Sequence, residues 1–282
     1  MRSTQGKVAL ITGAGRGLGW GIAKAFGLAG TRVCATDVNL DELELGSRQI
    51  SNDGSEIMSC HLDVANTEEF SEVAQKVCDK WGRIDVLVHA AAVMPLINFE
   101  DTSYETWWWE LGISLGGLFN GAKATWEIMK DQGEGHIIGV ASGASFRGFV
   151  DEIAYCVGKH GQEGFVKALA EEAAIYNISV NTISPGKSIK PTGVTQNAAL
   201  DMPNEVTAKW THPADLGRAF VWLANQEPKR LTGLSFSAGT VVDAIDSEGW
   251  DFNFAPEKVT PEPQEMISRL EWQNYQRQLG RQ

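Results

Sequence analysis

The chain has no long apolar run. None of its hydrophobic stretches approaches the roughly 20 residues that a membrane-crossing helix needs. It is also short of positive charge. Against 36 Asp and Glu stand 24 Lys and Arg, a formal net charge of -12, which argues against an electrostatic grip on nucleic acid or on an anionic membrane. Cysteine is scarce: Cys34, Cys60, Cys78 and Cys156 show neither paired nor metal-ligand spacing, so no disulfide framework and no metal site are expected. Such cysteines suit packing positions in a reducing compartment, and the expected location is the cytoplasm. The apolar stretch within "MRSTQGKVALITG" is too short for the core of a signal peptide. No internal repeat and no low-complexity linker breaks the chain.

What is present is enough for one large domain: 282 residues, 43% hydrophobic and 21% charged. Short β-branched runs alternate with longer helical patterns. "KVALIT", "TRVCATD", "SEIMSCHLD", "RIDVLVHA", "GHIIGVAS", "ISVNTIS" and "GLSFSAG" make seven candidate strands. Continuous apolar strands indicate a sheet buried on both faces, and strand–helix alternation indicates parallel strands. The expected fold class is therefore α/β, a Rossmann-type doubly wound parallel sheet of about seven strands with helices on both faces. Residues 187–210 are polar, contain two prolines and carry no clear strand, which suggests a lid over a site. The main domain is expected over 1–245, with a C-terminal extension over 246–282 whose last stretch has a helical pattern. That tail, with its isolated aromatics, is suited either to loose packing or to docking on a neighbouring subunit.

Residues 12–19 read "TGAGRGLG" and lie between the first strand and the first helix. Glycines at Gly13, Gly17 and Gly19 allow a tight turn and a close approach of backbone to a pyrophosphate, and the helix start offers free N–H groups to the anion. Arg16 and Leu18 belong to the same turn. Asp37 ends the second strand about 20 residues later, where a carboxylate accepts bonds from the ribose hydroxyls of NAD and repels a 2′-phosphate. Arg16 argues for that phosphate, but no second cation is seen beside it in the sequence, and Asp37 carries more weight. Asp37 could instead cap the next helix. Asp63 and Val64, at the end of the third strand, are placed to meet the adenine.

"AYCVGK" spaces Tyr155 and Lys159 four residues apart, on one helix face. Taken alone that spacing says little. In order along the chain, however, "TGAGRGLG", Asp37, "LDV", "HAAAV", the serine of "GVASGAS", "YCVGK" and "VNTISPG" resemble the short-chain dehydrogenase/reductase family in its compact single-domain form, over about residues 5–240. The resemblance implies an NAD-dependent oxidoreductase that interconverts a secondary alcohol and a ketone. It implies Tyr155 as acid/base, Lys159 lowering the tyrosine's pKa while holding the nicotinamide ribose, and Ser142, thirteen positions before the tyrosine, bonding the substrate oxygen. It also implies backbone contact with the cofactor at Ala90, further contacts at Ser188 and Thr192, and a homodimer or homotetramer.

Two departures stand out. "HAAA" replaces the family's asparagine-rich turn after the fourth strand, and His89 is expected to take a structural asparagine's place. Ser114 stands where the family places an asparagine that anchors a water in its proton relay, so Ser114 is a candidate member of the catalytic set. Met94, Leu96, Phe146, Phe149, Val150 and Ile153 are candidates for an apolar substrate pocket, with Arg147, Lys187 and Lys190 as candidate anion-binding cations. A catalytically idle dinucleotide-binding module is the competing function. A sugar-nucleotide epimerase or dehydratase of the larger related subfamily fits poorly, because its glycine spacing differs and it carries a larger C-terminal domain.

Overall fold

The computed structural model describes residues 4–192, 194 and 202–254. All seven expected strands form: β1 Val8–Thr12, β2 Arg32–Asp37, β3 Ile57–His61, β4 Val86–His89, β5 Gly135–Val140, β6 Ile178–Ser184 and β7 Ser235–Ser237. Every pairing is parallel, and the order across the sheet is β3-β2-β1-β4-β5-β6-β7. The central strands β1, β4 and β5 are buried throughout, as their unbroken apolar runs dictate, whereas the edge strand β3 is half-open.

The helices between them are α1 Gly17–Leu28, α2 Leu40–Asn52, α3 Thr67–Trp81, α4 Tyr104–Leu111, α5 Gly117–Gln132 and α6 Ile153–Ala173. A short α7, Asn204–Thr207, precedes α8, Pro213–Ala224, and α9, Ala238–Glu248. Local chemistry starts and stops them. Asn39 and Asn66 accept the N–H of Glu42 and Glu69 at the starts of α2 and α3, with acidic residues in both first turns. Gly82 and Gly133 end α3 and α5 in the left-handed conformation.

Side chains alternate between the faces of a strand. Val8 and Leu10 of β1 join one cluster with Phe70, Val73 and Val77 of α3, Leu118 and Met129 of α5, and Val166 and Ala170 of α6. Ala9 and Ile11, equally buried, face the opposite layer. There α1 and α8 meet backbone to backbone, since a β-carbon on Gly217 would come 2.6 Å from the Gly21 carbonyl oxygen. No helix of the described residues is long and apolar enough to cross a membrane.

The compact unit runs to Phe252, beyond the expected boundary at 245. α9 continues to Glu248, and Phe252 stacks on Trp222 with ring centroids 4.8 Å apart. The helix expected at the end of the chain lies outside the described residues, as does part of the expected lid. All four cysteines are free thiols.

The chain runs outward from β1 to β3, then returns to β4 beside β1 and runs the other way. This reversal leaves a crevice at the carboxyl ends of β1 and β4, and the candidate site occupies it.

Candidate active site

A cleft of ≈ 710 Å³ opens over these strand ends. Its floor is the turn after β1. Gly13 adopts φ 63°, and a β-carbon there would lie 2.7 Å from the backbone of Ala91, so only glycine lets this turn pass so close to the one after β4. A β-carbon at Gly19 would fall 2.0 Å from the Gly13 oxygen. Gly13, Arg16, Gly17, Leu18 and Gly19 all line the cleft, with Asp37, Asp63, Val64, Ala90 and Thr192 around them.

Asp37 is locked in place. Its Oδ2 accepts from the Gly15 N–H at 3.0 Å and its Oδ1 from the Asn39 N–H at 3.0 Å. The helix that follows is capped by Asn39, so Asp37 does not serve as the cap. Arg16 pairs with Glu42 at 3.4 Å. A second cation does stand near it, contrary to the sequence reading. Lys190 lines the cleft, and burial, followed by the nearby Arg16, pushes its amine below the ordinary value while Glu42 pulls it up. It comes from a segment more than 170 residues away from Arg16, a proximity that no local pattern reveals.

The far wall carries Ser142, Tyr155 and Lys159, and the structure brings all three to the same cleft. Ser142 leaves β5 in an extended conformation and caps a single 3-10 turn, Gly143–Ser145, in a reciprocal box with Ser145. Tyr155 and Lys159 lie in the first two turns of α6, so their spacing sets them on one face as expected. Tyr155 is 9% exposed. Burial raises its phenol above the ordinary value; a hydrogen bond with Ser142 lowers it, and Glu152 and Cys156 raise it.

The expected lowering of the phenol's pKa by Lys159 does not arise from this geometry. The Lys159 ammonium lies 5.6 Å from the tyrosine ring centroid and donates to the Val140 carbonyl at 2.6 Å and to the Gln162 side-chain oxygen at 3.3 Å. Held by those acceptors, it leaves burial to dominate the tyrosine. Burial also lowers the pKa of Lys159 itself to about 8, with Glu163 acting against the shift.

Two other expectations are corrected. Ser114 does not reach the cleft. Its hydroxyl donates back to the Glu110 carbonyl at 2.8 Å and lies against Gly158 of α6. The cause is a π-helical turn over Gly112–Gly116 between α4 and α5, which changes the phase of the helix at this point. Ser188 is also absent from the lining, and its carbonyl is taken by the Thr211 N–H at 2.7 Å.

His89 behaves as a buried structural group. Its Nε2 meets the carbonyls of Ile113 and Ser114 at 3.1 and 3.0 Å, and its Nδ1 lies 3.1 Å from the Thr12 hydroxyl. Carbonyls only accept, so Nε2 carries the proton. Burial, with Lys159 nearby, lowers its pKa to about 3. Thr12 completes the arrangement by accepting from the N–H groups of Ala90 and Ala91.

On the substrate side, Met94 and Phe149 line the cleft, while Leu96, Phe146 and Val150 are exposed and Ile153 lines a separate groove with Ile97 and Phe99. Among the anion-binding candidates only Lys190 reaches the cleft. Lys187 pairs with Asp243, and Arg147 lies over the Phe149 ring. Trp109 and Glu152 are among the lining residues that the sequence reading missed. Glu152 sits just ahead of α6, and burial raises its carboxyl above the usual range.

The glycine turn, the locked Asp37 and the Ser142–Tyr155–Lys159 wall form one nucleotide-sized cleft at the switch point of a parallel sheet. The chain belongs to the short-chain dehydrogenase/reductase family of oxidoreductases, and the family model described as short chain dehydrogenase matches residues 7–202. It is 33% identical over 235 residues to D-threitol dehydrogenase of Mycolicibacterium smegmatis, covering 81% of this chain and 89% of that one. To 2-dehydro-3-deoxy-D-gluconate 5-dehydrogenase of Bacillus subtilis it is 31% identical, covering 82% and 92%. Among solved structures, a metagenomic short-chain oxidoreductase in complex with NADP matches with a TM-score of 0.70 at 26% identity, covering 82% of this chain and 95% of that one. Carveol dehydrogenase of Mycobacterium avium in complex with NAD shares the fold at a TM-score of 0.75 and 22% identity, covering 84% and 97%.

Proposed function

We propose that the chain is an NAD(H)-dependent oxidoreductase that interconverts a secondary alcohol and a ketone, with Tyr155 as the acid/base. The observation that carries this reading is the convergence of Ser142, Tyr155 and Lys159 on the cleft that Gly13 and Asp37 also line.

A dinucleotide suits the residues present. Gly13, Gly17 and Gly19 leave the space beside the first turn free of side chains, and α1 starts there without a side-chain cap. Its free N–H groups are available to a pyrophosphate. Asp37 presents a fixed carboxylate to the ribose hydroxyls, and Asp63 and Val64 flank the adenine end. Ala90 offers backbone, and Thr192 serves the nicotinamide end. Arg16 and Lys190 favour a 2′-phosphate, but Glu42 partly neutralises them and Asp37 repels it, so NAD is the proposed cofactor.

When bound, the nicotinamide supplies the hydride donor or acceptor. The Ser142 hydroxyl hydrogen-bonds the substrate oxygen and stabilises charge that develops there. Tyr155 gives its phenolic proton to that oxygen during reduction and takes it back during oxidation. Lys159 holds the ribose through the N–H that Val140 and Gln162 leave free. Met94, Trp109 and Phe149 bury the body of the substrate.

Exposed Trp108 and Phe119 on α4 and α5 support assembly into a homodimer or homotetramer. The test of the reading is turnover of a secondary-alcohol panel with NAD by the wild type and by Tyr155→Phe. A dinucleotide-binding chain with no turnover on any panel member, or a Tyr155→Phe variant with full turnover, would overturn it.

A further inference from the structure

We propose that Gln162 is a positioning residue of this site, an amide that ties the Lys159 ammonium to the backbone of the π-turn at Ser114. The proposal rests on the reading of Tyr155 and Lys159 given above.

Gln162 is fully buried on α6, one turn beyond Lys159. Its Oε1 accepts from Lys159 Nζ at 3.3 Å, and its Nε2 donates to the Ser114 carbonyl at 2.6 Å. The two partners fix the orientation of the amide. An ammonium only donates and a carbonyl only accepts, so a flipped amide would lose both bonds.

This bridge has two consequences. An ammonium has three donors. Val140 O takes one at 2.6 Å and Gln162 takes the second, so the third is left for the cleft that Lys159 lines. The amide therefore sets the direction of the one N–H available to a ligand. The Ser114 carbonyl, with two lone pairs, receives Gln162 Nε2 and His89 Nε2, so protein donors occupy it fully.

The Ser114 hydroxyl is turned away from the site, so the amide of the arrangement comes from α6 instead of from the helix that holds Ser114. The charged and titratable groups facing Lys159 are Tyr155 and Glu163 on α6 and His89 at the end of β4. His89 stays neutral, and Glu163 is engaged by the Thr182 hydroxyl at 2.9 Å. From β5 the Val140 carbonyl faces it.

The test is NADH binding, followed by nucleotide fluorescence across the neutral-to-alkaline range, for wild type, Gln162→Met and Gln162→Glu. An ammonium that holds the cofactor loses that role as pH rises through its pKa. Methionine keeps the length but removes the acceptor, so the loss should move to lower pH and NADH should bind several-fold more weakly. Glutamate strengthens the acceptor, so the loss should move to higher pH. A mere packing role predicts no such order. Coincident profiles for the three proteins would overturn the proposal. If Gln162→Met does not fold by circular dichroism, the direction of the shift in Gln162→Glu decides: no shift, or a shift to lower pH, overturns it. Turnover of Tyr155→Phe tests the underlying reading separately, since the NADH order does not depend on the tyrosine hydroxyl.

Discussion

The Ser114 hydroxyl lies so close to Gly158 that a β-carbon on the glycine would fall 2.2 Å from the oxygen. The π-turn and α6 thus touch one residue before Lys159. Gly158→Ala is expected to force the turn away from α6, at a cost of about 1–3 kcal/mol for an overpacked contact, and to lower turnover with it. Thermal melts and rates of the variant check this. An unchanged melting temperature would mean that the contact is slack.

Ser114→Ala removes one hydrogen bond, to Glu110 O, and no group of the cleft. The expected cost is about 1 kcal/mol of stability, with turnover within a few-fold of wild type. Ser114→Asn has no room beside Gly158 and should lower both. Loss of two orders of magnitude in Ser114→Ala, with the fold intact, would return the serine to the proton relay.

Tyr155→Phe keeps the ring and should keep the fold, while turnover falls by roughly 10²–10⁴-fold, the range of general acid–base catalysis. Glu152→Gln probes the phenol from the other side. Glu152 raises the tyrosine's pKa, so removing its charge favours the phenolate. The rise of the oxidation rate with pH should therefore move to lower pH, which a pH–rate profile measures.

Asp37 should make NAD bind at least about tenfold better than NADP, a difference of about 1.4 kcal/mol. Asp37→Ala should narrow the gap, and Lys190→Ala should widen it by removing a cation near Arg16. Equal binding of both cofactors by the wild type would refute the assignment.

His89 and His136 are both buried, with pKa values lowered to about 3, burial being the largest cause for each. The unfolded chain binds these protons near the ordinary value of about 6.5. Their effect on stability is nil above that value. As pH falls below it, the unfolded state takes up protons that the folded state refuses, and stability drops by on the order of 1 kcal/mol per pH unit for each histidine, down to about pH 3. Denaturant melts at stepped pH should show this slope. His89→Asn should reduce it, because asparagine does not titrate.

The central strands were legible because each is a compact apolar run closed by glycine or a polar turn, the pattern that a parallel sheet buried on both faces demands, while the edge strands β3 and β7 carry it only in part. Gly13 and Asp37 could be placed from their strand ends, whereas Ser142 and Tyr155 were named through the ordered set of family motifs, because neither spacing means much alone. Ser114 was named by its position in the family pattern, which does not tell where a hydroxyl in a π-turn points; here it turns back to Glu110. Gln162, and the nearness of Lys190 to Arg16, escaped for another reason. Ser114 and Arg16 are distant in sequence from these partners, and only the closed fold makes them neighbours.

The place of β1 has a consequence for how the chain comes into being. β1 precedes the other six strands of the sheet, yet it ends between β2 and β4, with Thr12 beside His89. Until β4 has been synthesised, a nascent chain carries β1 with one edge open, and that edge is apolar and ready to pair with another chain. Such long-range closure is slow. The early chain is thus the stage most exposed to aggregation, and chaperone demand during synthesis should fall once β4 has emerged from the ribosome.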